Sequence, residues 1–398
     1  MISVVGGVYL EQCIEPAWNE IYGSGGRAAA SLGAVSDGVI LYTYLNPKLE
    51  RQFAPLARSF GFSYQSCESA WDIGFAYTHC LSTPHITPNS FGQERPIVVE
   101  APVILRFGMM EGTAKVMGDR VVYDPQSAFD PRPFKENGSS AGHLAVLINS
   151  YELKKMTGTK DPVAGAQHLL QGGAEIVIVK RGSLGCLVVM SGSTVTVPAY
   201  RSEFVWSIGS GDVFAAAFAH FWAEKGIAPD QAAELASRAT ALYCSSMSLP
   251  LRSRDDLQSF ALRPIGPITG QRRAYLAGPF FNLPQRWLVD EARNHLLSQG
   301  LEVFSPLHDI GTGPAEMVAS ADLKGLVGCD RVLALVDGCD VGTIFEIGYA
   351  RANNIPVVAF VQNTSEGDLK MLAGSGCFIV KDFVTAIYHT SWIEGAGT

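Results

Sequence analysis

Asp337-Gly338-Cys339-Asp340-Val341-Gly342-Thr343-Ile344-Phe345-Glu346-Ile347-Gly348-Tyr349-Ala350 follows the apolar run Val332-Leu333-Ala334-Leu335-Val336. The apolar run reads as a strand buried on both faces, as in a parallel sheet. Asp337–Gly342 has loop composition, and a helical pattern runs from Thr343 to about Asn353-Asn354. Asp337 and Asp340 then stand at the carboxyl end of a strand, with Glu346 in the first turn of the next helix. Ligands of open α/β sheets bind at that end. Acids and glycines gathered there point to chemistry on a small polar ligand. The plainer alternative is that Glu346 complements a helix N-terminus and the aspartates are ordinary loop residues.

The flanking sequence keeps the same rhythm. Arg273–Ala277 starts a sheet, Pro284–Gln299 is an amphipathic helix stopped by Gly300, and Leu301–Phe304 is a second strand. A helix over Ala319–Gly328 and a strand at Val357–Val361 complete a small doubly wound, Rossmann-like or flavodoxin-like domain. Tyr275-Leu276-Ala277-Gly278-Pro279-Phe280-Phe281, Ser305-Pro306-Leu307-His308-Asp309, Ala321-Asp322-Leu323-Lys324-Gly325 and Cys329-Asp330 precede the opening run in that order. Together, over roughly residues 272–385, they resemble the nucleoside 2-deoxyribosyltransferase family. The resemblance implies that Glu346 is a nucleophile toward an anomeric carbon, oriented by Tyr275. It implies that Asp340 and Asp322 contact the base and manage its proton. Gly278, Phe280, His308 and Gly342 fall at substrate-binding positions; Asp330 keeps the family order with Asp322 and Asp340, the alternative being a structural residue that fixes a strand start. Leu369 falls where the family places a polar residue borrowed from a neighbouring subunit; Lys370 or Ser375 would compensate, and Lys370 suits a 5′-phosphate.

Residues 251–271, charged and then rich in proline and glycine, read as a linker between a first domain, 1–250, and a second, 272–398. In the first domain Ile2–Val5 is a strand, Tyr22-Gly23-Ser24-Gly25-Gly26-Arg27 opens a helix over Ala28–Leu32, and residues 49–135 alternate short strands and turns. Clear α/β alternation begins at the strand Leu144–Ile148. Gly209-Ser210-Gly211-Asp212 opens a long helix. Successive N–H groups and the helix dipole make an anion hole there, and an aspartate beside it can take the proton of an attacking hydroxyl. The alternative is an aspartate capping a helix after a glycine turn.

Asp124-Pro125, Asn149-x-x-Glu152, Lys180-x-Gly182-x-x-Gly185 and Gly209-Ser210-Gly211-Asp212, in that order, resemble the ribokinase-like (PfkB) family of sugar and nucleoside kinases. The resemblance implies a three-layer α/β domain binding ATP and Mg2+. Asp212 is then the base, Gly209, Ser210 and Gly211 the anion hole, and Asn149 and Glu152 organise magnesium and phosphate. Lys180, Gly182 and Gly185 border ATP. Glu11 stands in for an early sugar-binding aspartate, the lid reads as short, and Trp206-Ser207 replaces an acidic residue of the family pattern.

The chain has 398 residues and a net charge of −8, which argues against a nucleic-acid backbone as partner. Its cysteines are scattered without a C-x-x-C pair, so neither zinc nor a disulfide framework is indicated, and a reducing cytoplasm is expected. No leader-like start and no apolar stretch of about 18 residues is seen, so no membrane partner is expected. The expected function is bifunctional. The second domain cleaves or transfers an N-glycosidic bond of a nucleoside or nucleoside monophosphate through a glycosyl-Glu346 intermediate, without a cofactor. The first phosphorylates a sugar or nucleoside hydroxyl, in a homodimer or larger assembly. The alternative is an inactive kinase domain serving as a nucleotide sensor for a nucleotide or NAD glycohydrolase.

Overall fold

The computed structural model describes residues 1–127, 129–266, 272–311 and 313–394. The chain forms two compact units. The first comprises Met1–Ser202 and Trp206–Ile265, and the second is built on residues 272–394.

The first unit runs β1 (Ile2–Val5), β2 (Leu10–Glu15), β3 (Trp18–Ile21), α1 (Gly23–Leu32), β4 (Val39–Leu45), α2 (Pro47–Phe60), β5 (Ser63–Glu68), β6 (Gly74–His79) and β7 (His85–Thr87). It continues with β8 (Ile97–Glu100), β9 (Val103–Phe107), β10 (Ala114–Asp124), β11 (Ser140–Asn149), α3 (Ser150–Thr157), α4 (Pro162–Gln171) and β12 (Ile176–Lys180). The last elements are β13 (Cys186–Met190), β14 (Ser193–Val197), α5 (Ser210–Phe218), α6 (Pro229–Ser246) and α7 (Arg254–Ser259). The main sheet has the order β14-β13-β12-β11-β10-β9-β1-β4-β5, with β8 paired to β10. It is parallel from β12 to β5, and β13 and β14 close its other edge antiparallel. The central strands are apolar on both faces: every residue of β1 is buried. Helices cover such strands on both sides, as an all-parallel arrangement requires.

Neighbouring parallel strands end side by side. β10 finishes at Asp124, β11 at Asn149 and β12 at Lys180, with Asn149 opposite Lys180 in register. The sheet topology thereby sets three polar side chains along one carboxyl edge, where ligands of α/β sheets bind. A separate four-stranded sheet, β3-β2-β6-β7, carries Glu11.

Two expectations are corrected here. Residues 47–60 form α2, in the stretch read as short strands and turns. Asn46 caps it by accepting from the N–H groups of Lys48 and Leu49, Gly61 ends it at φ 73°, and Leu49, Phe53 and Ala57 form its buried stripe. Helix α1 begins at Gly23, not Ala28, and packs so closely on the turn after β1 that a Cβ on Gly25 would lie 2.5 Å from the Gly6 carbonyl oxygen. Within the segment read as a linker, α7 is helical and Pro264 bridges to Tyr200; residues 267–271 lie outside the described residues.

The second unit runs β15 (Arg273–Ala277), α8 (Leu283–Ser298), β16 (Glu302–Phe304), α9 (Pro306–Asp309), α10 (Ala315–Val327), β17 (Arg331–Leu335), α11 (Val341–Ala352), β18 (Val357–Phe360), α12 (Lys370–Gly374), β19 (Phe378–Val380) and α13 (Phe383–Trp392). Its five strands are all parallel in the order β16-β15-β17-β18-β19. That is the doubly wound 2-1-3-4-5 order, whose switch point falls between the first and third strands. Here those are β15 and β17. Among the described residues no helix is long and apolar enough to cross a membrane.

Candidate active sites

In the second unit, α11 starts earlier than its composition suggests. Asp340 is the N-cap, with Oδ2 accepting from the Thr343 N–H at 2.9 Å and the Thr343 hydroxyl at 3.0 Å. Glu346 therefore sits in the second turn, not the first, and its role is not to cap the helix. Thr343, Ile347 and Ala350 form the buried face, and Glu346 lies on its flank. The Tyr275 hydroxyl, rising from β15, donates to Glu346 Oε1 at 2.6 Å. The switch point thus joins a first-strand phenol to a carboxylate on the helix that follows the third strand. Tyr275 is fully buried, and its ring stacks on Phe304 at 5.6 Å.

Burial pushes the Glu346 carboxyl up to about 7, with Asp322 and Asp340 adding to the rise and the Tyr275 hydrogen bond opposing it. Burial and the Glu346 charge push the Tyr275 phenol far up, so it donates throughout the neutral range. Burial also raises the Asp322 carboxyl, whose Oδ1 has no hydrogen-bond partner. A carboxylate nucleophile, a fixed donor and a second carboxyl raised by burial are what displacement at an anomeric carbon uses. Tyr275→Phe removes the bond that favours the ionised carboxylate. The acid limb of any Glu346-dependent rate is expected to move up by about one to two pH units, read from a pH–rate profile.

Other predicted residues take different places. Asp337 accepts from the N–H groups of Gln362, Asn363 and Thr364 and so fastens the loop after β18. Asp330 holds the Arg331 guanidinium and the Arg273 N–H at the strand start, which favours the structural of its two readings. His308 spans Asp290 at 2.7 Å and Ser305 at 3.0 Å. Gly278 follows β15, where a Cβ would come 3.0 Å from Leu335; Gly342 lies in the first turn of α11; Phe280 stacks on Phe281 at 5.6 Å.

In the first unit a cavity of about 450 Å³ opens at the carboxyl edge of the main sheet. Asp124, Asn149, Glu152, Lys180, Gly209, Gly211 and Asp212 line it, together with Glu11. Gly182 and Gly185 instead make the turn between β12 and β13, with φ of 56° and 77°, and do not line this cavity; nor does Ser210, the first residue of α5. Asn149 and Glu152 form a capping box at the start of α3, each side chain accepting from the other's backbone N–H. Burial pushes Glu152 up to about 7, and the Asp124 charge adds to the rise. Lys180 reaches Asp124 at 2.5 Å, and the acids around it outweigh its burial and hold it charged.

Asp212 stands in the first turn of α5 beside Gly209, whose φ of 74° is left-handed. Its Oδ2 accepts from Arg27 Nη1 at 2.9 Å and its Oδ1 from Gln126 Nε2. Glu11, expected to face a sugar, is forked onto Arg27. Sequence reasoning missed Arg27 and Gln126. The signal for Arg27 was present: one cation in a helix otherwise built of glycine, serine, alanine and leucine has to find carboxylates. Nothing in the sequence singled out Gln126.

Residues 110–251 match the family model described as pfkB family carbohydrate kinase, and residues 274–378 match nucleoside 2-deoxyribosyltransferase. A deoxyribokinase of Salmonella typhi is 36% identical over 83 residues, 20% of this chain and 27% of that protein. An uncharacterized sugar kinase of Archaeoglobus fulgidus is 28% identical over 100 residues, 25% of this chain and 40% of that protein. The chain thus spans well under half the length of these curated relatives. Fructokinase from Vibrio cholerae O395, in its fructose, ADP and calcium ion bound form, aligns at a TM-score of 0.51 and 14% identity over 65% of this chain and 98% of that one. Arabidopsis thaliana ribokinase complexed with ribose and ATP aligns at 0.50 and 16%, over 65% and 99%. Likeness at such identity establishes the ribokinase-like fold of the first unit. The chain therefore carries, in tandem, a pfkB family carbohydrate kinase domain and a nucleoside 2-deoxyribosyltransferase domain.

Proposed function

We propose that the protein is a bifunctional enzyme of nucleoside or nucleotide metabolism. In the second unit Glu346 attacks the anomeric carbon of a nucleoside or nucleoside monophosphate. The carbon–nitrogen bond breaks, an ester to Glu346 forms, and the departing base takes a proton from Asp322 or Asp340. Water or a second base then attacks the same carbon, returns its proton to that aspartate, and frees the Glu346 carboxylate. This needs no cofactor. The Tyr275–Glu346 hydrogen bond at the switch point carries the reading, because it fixes in place a carboxyl that burial has raised.

In the first unit Asp212 takes the proton of a sugar or nucleoside hydroxyl as its oxygen attacks phosphorus. The N-terminus of α5 and Lys180 face the developing charge. The residues fit magnesium–ATP: Asp124 Oδ1 is buried without a hydrogen-bond partner, beside Asn149 and Glu152, an oxygen set suited to a hard cation. When bound, magnesium–ATP would supply the phosphoryl group, its terminal phosphorus–oxygen bond breaking as ADP leaves. Hydrolysis in the second unit would release a pentose that the first could phosphorylate, and the deoxyribokinase among the relatives favours 2-deoxyribose.

The occupied carboxylate of Asp212 favours the sensor reading, in which the first unit binds a nucleotide without transfer. A carboxylate, however, offers about four lone-pair sites, and Arg27 and Gln126 use one each, which leaves room for an acceptor hydroxyl. The test is incubation with mixed nucleosides and nucleotides, with and without ATP, and identification of products by mass. Base release without ATP and sugar phosphate with it are expected. Nucleotide binding without any phosphate transfer would establish the sensor instead. A homodimer or larger is expected by analytical ultracentrifugation.

A further inference from the structure

Arg27 is the one charged residue of α1, and its side chain is 1% exposed. Burying a guanidinium is tolerable only when its charge and its N–H groups are met. Glu11 of β2 takes Nη1 and Nη2 in a fork, and Asp212 of α5 takes Nη1 at 2.9 Å. The Tyr22 ring centroid lies 5.1 Å from Cζ. Gly209 presses so closely that a Cβ there would fall 2.1 Å from Nε. Nε itself is buried without a hydrogen-bond partner and belongs to a side chain lining the cavity. The guanidinium thus ties the four-stranded sheet, α1 and the glycine turn of the anion hole to a single carboxylate.

We infer that Arg27, braced by Glu11, is a positioning residue for phosphoryl transfer: it aims the Asp212 carboxylate at the acceptor and supplies its counter-charge. The inference rests on the kinase reading above and extends it. The fork to Glu11 leaves the guanidinium no rotamer freedom, so its remaining Nη1 proton fixes where Asp212 Oδ2 sits. The charges facing Asp212 are Arg27 and Lys180 on one side of the balance and Glu11 and Asp124 on the other, with the phenols of Tyr77 and Tyr243 nearby. Without Arg27 the carboxylates of Glu11 and Asp212 lose the cation they share, and Asp212 is left with Lys180, which Asp124 and Glu152 also draw on. Like-charged neighbours then hold Asp212 protonated to higher pH.

The test compares the parent with Arg27→Met, Arg27→Lys and the double variant Glu11→Gln/Arg27→Met, which leaves no charge stranded at the fork. Mg-ATP is supplied with 2-deoxyribose, ribose or deoxyadenosine; kcat and KM for ATP are measured across pH, and folding is followed by circular dichroism melts. Arg27→Met is expected to lower kcat about 100-fold at neutral pH, to move the acid limb up by about one unit or more, and to leave KM for ATP near the parent value. Arg27→Lys should keep the limb near the parent's while losing rate, and the double variant should fold and bring the limb part of the way back. A folded Arg27→Met or double variant with the parent's acid limb and kcat would overturn the inference alone. A parent that transfers phosphate to none of the acceptors would overturn the kinase reading, and this inference with it.

Discussion

Glu346→Gln is expected to lower base release or exchange by about four orders of magnitude or more, because the amide cannot form the glycosyl ester and, among the described residues, no other carboxylate bonds to Tyr275. The same substitution is expected to stabilise the fold. The parent carboxyl ordinarily titrates at 4.5 and is pushed to about 7 by burial. Between those values the folded protein holds a proton that the unfolded chain has released, so stability falls as pH rises through that window and stays lost above it. Glutamine carries no such penalty and can still accept from the Tyr275 hydroxyl. At pH 8 the variant should be more stable by roughly 1–3 kcal/mol, and the two proteins should converge below about pH 4.5. Chemical denaturation at pH 8 and pH 4 measures this. An inactive variant that is also less stable at pH 8 would point to damage rather than to lost chemistry, and a fully active one would remove Glu346 from the reaction.

Asp212→Asn is expected to lower ATP-dependent phosphate transfer by about 10²- to 10⁴-fold while leaving base release untouched. Asparagine keeps the shape of the side chain and an oxygen for Arg27, and Arg27 keeps its fork to Glu11, so no buried charge is left alone. The measurement is sugar-phosphate formation by mass, run beside the base-release assay on the same preparation. Equal transfer by parent and variant would take Asp212 out of the mechanism. Loss of both activities would show that the substitution acts through folding.

Much of the architecture could be read from the chain because apolar runs buried on both faces, such as Val332–Val336 and Leu144–Ile148, have few alternatives to a central parallel strand. The motifs of the candidate sites lie at the ends of those strands, so they were legible with them. The exceptions have physical causes. Helix α2 announces itself by Asn46-Pro47 and Gly61, but a proline at position 55 and a stripe of only Leu49, Phe53 and Ala57 obscured it. Glu346 was placed a turn early because Val341 and Gly342 look like loop residues, and only the Asp340 cap shows that the helix has begun. The pairing of Arg27 with Glu11 and Asp212 joins positions 16 and 185 residues apart. No local pattern encodes such a contact, although the need for some partner was written in the helix itself.

The capping box at Asn149 and Glu152 has a consequence for anyone dissecting the first unit. One pair of side chains both terminates β11 as a helix start and walls the cavity. Truncation there confounds two causes: an alanine scan would report lost activity whichever task had failed. A serine–glutamine pair, which keeps the reciprocal caps and strips the carboxylate, separates the architectural duty from the chemical one.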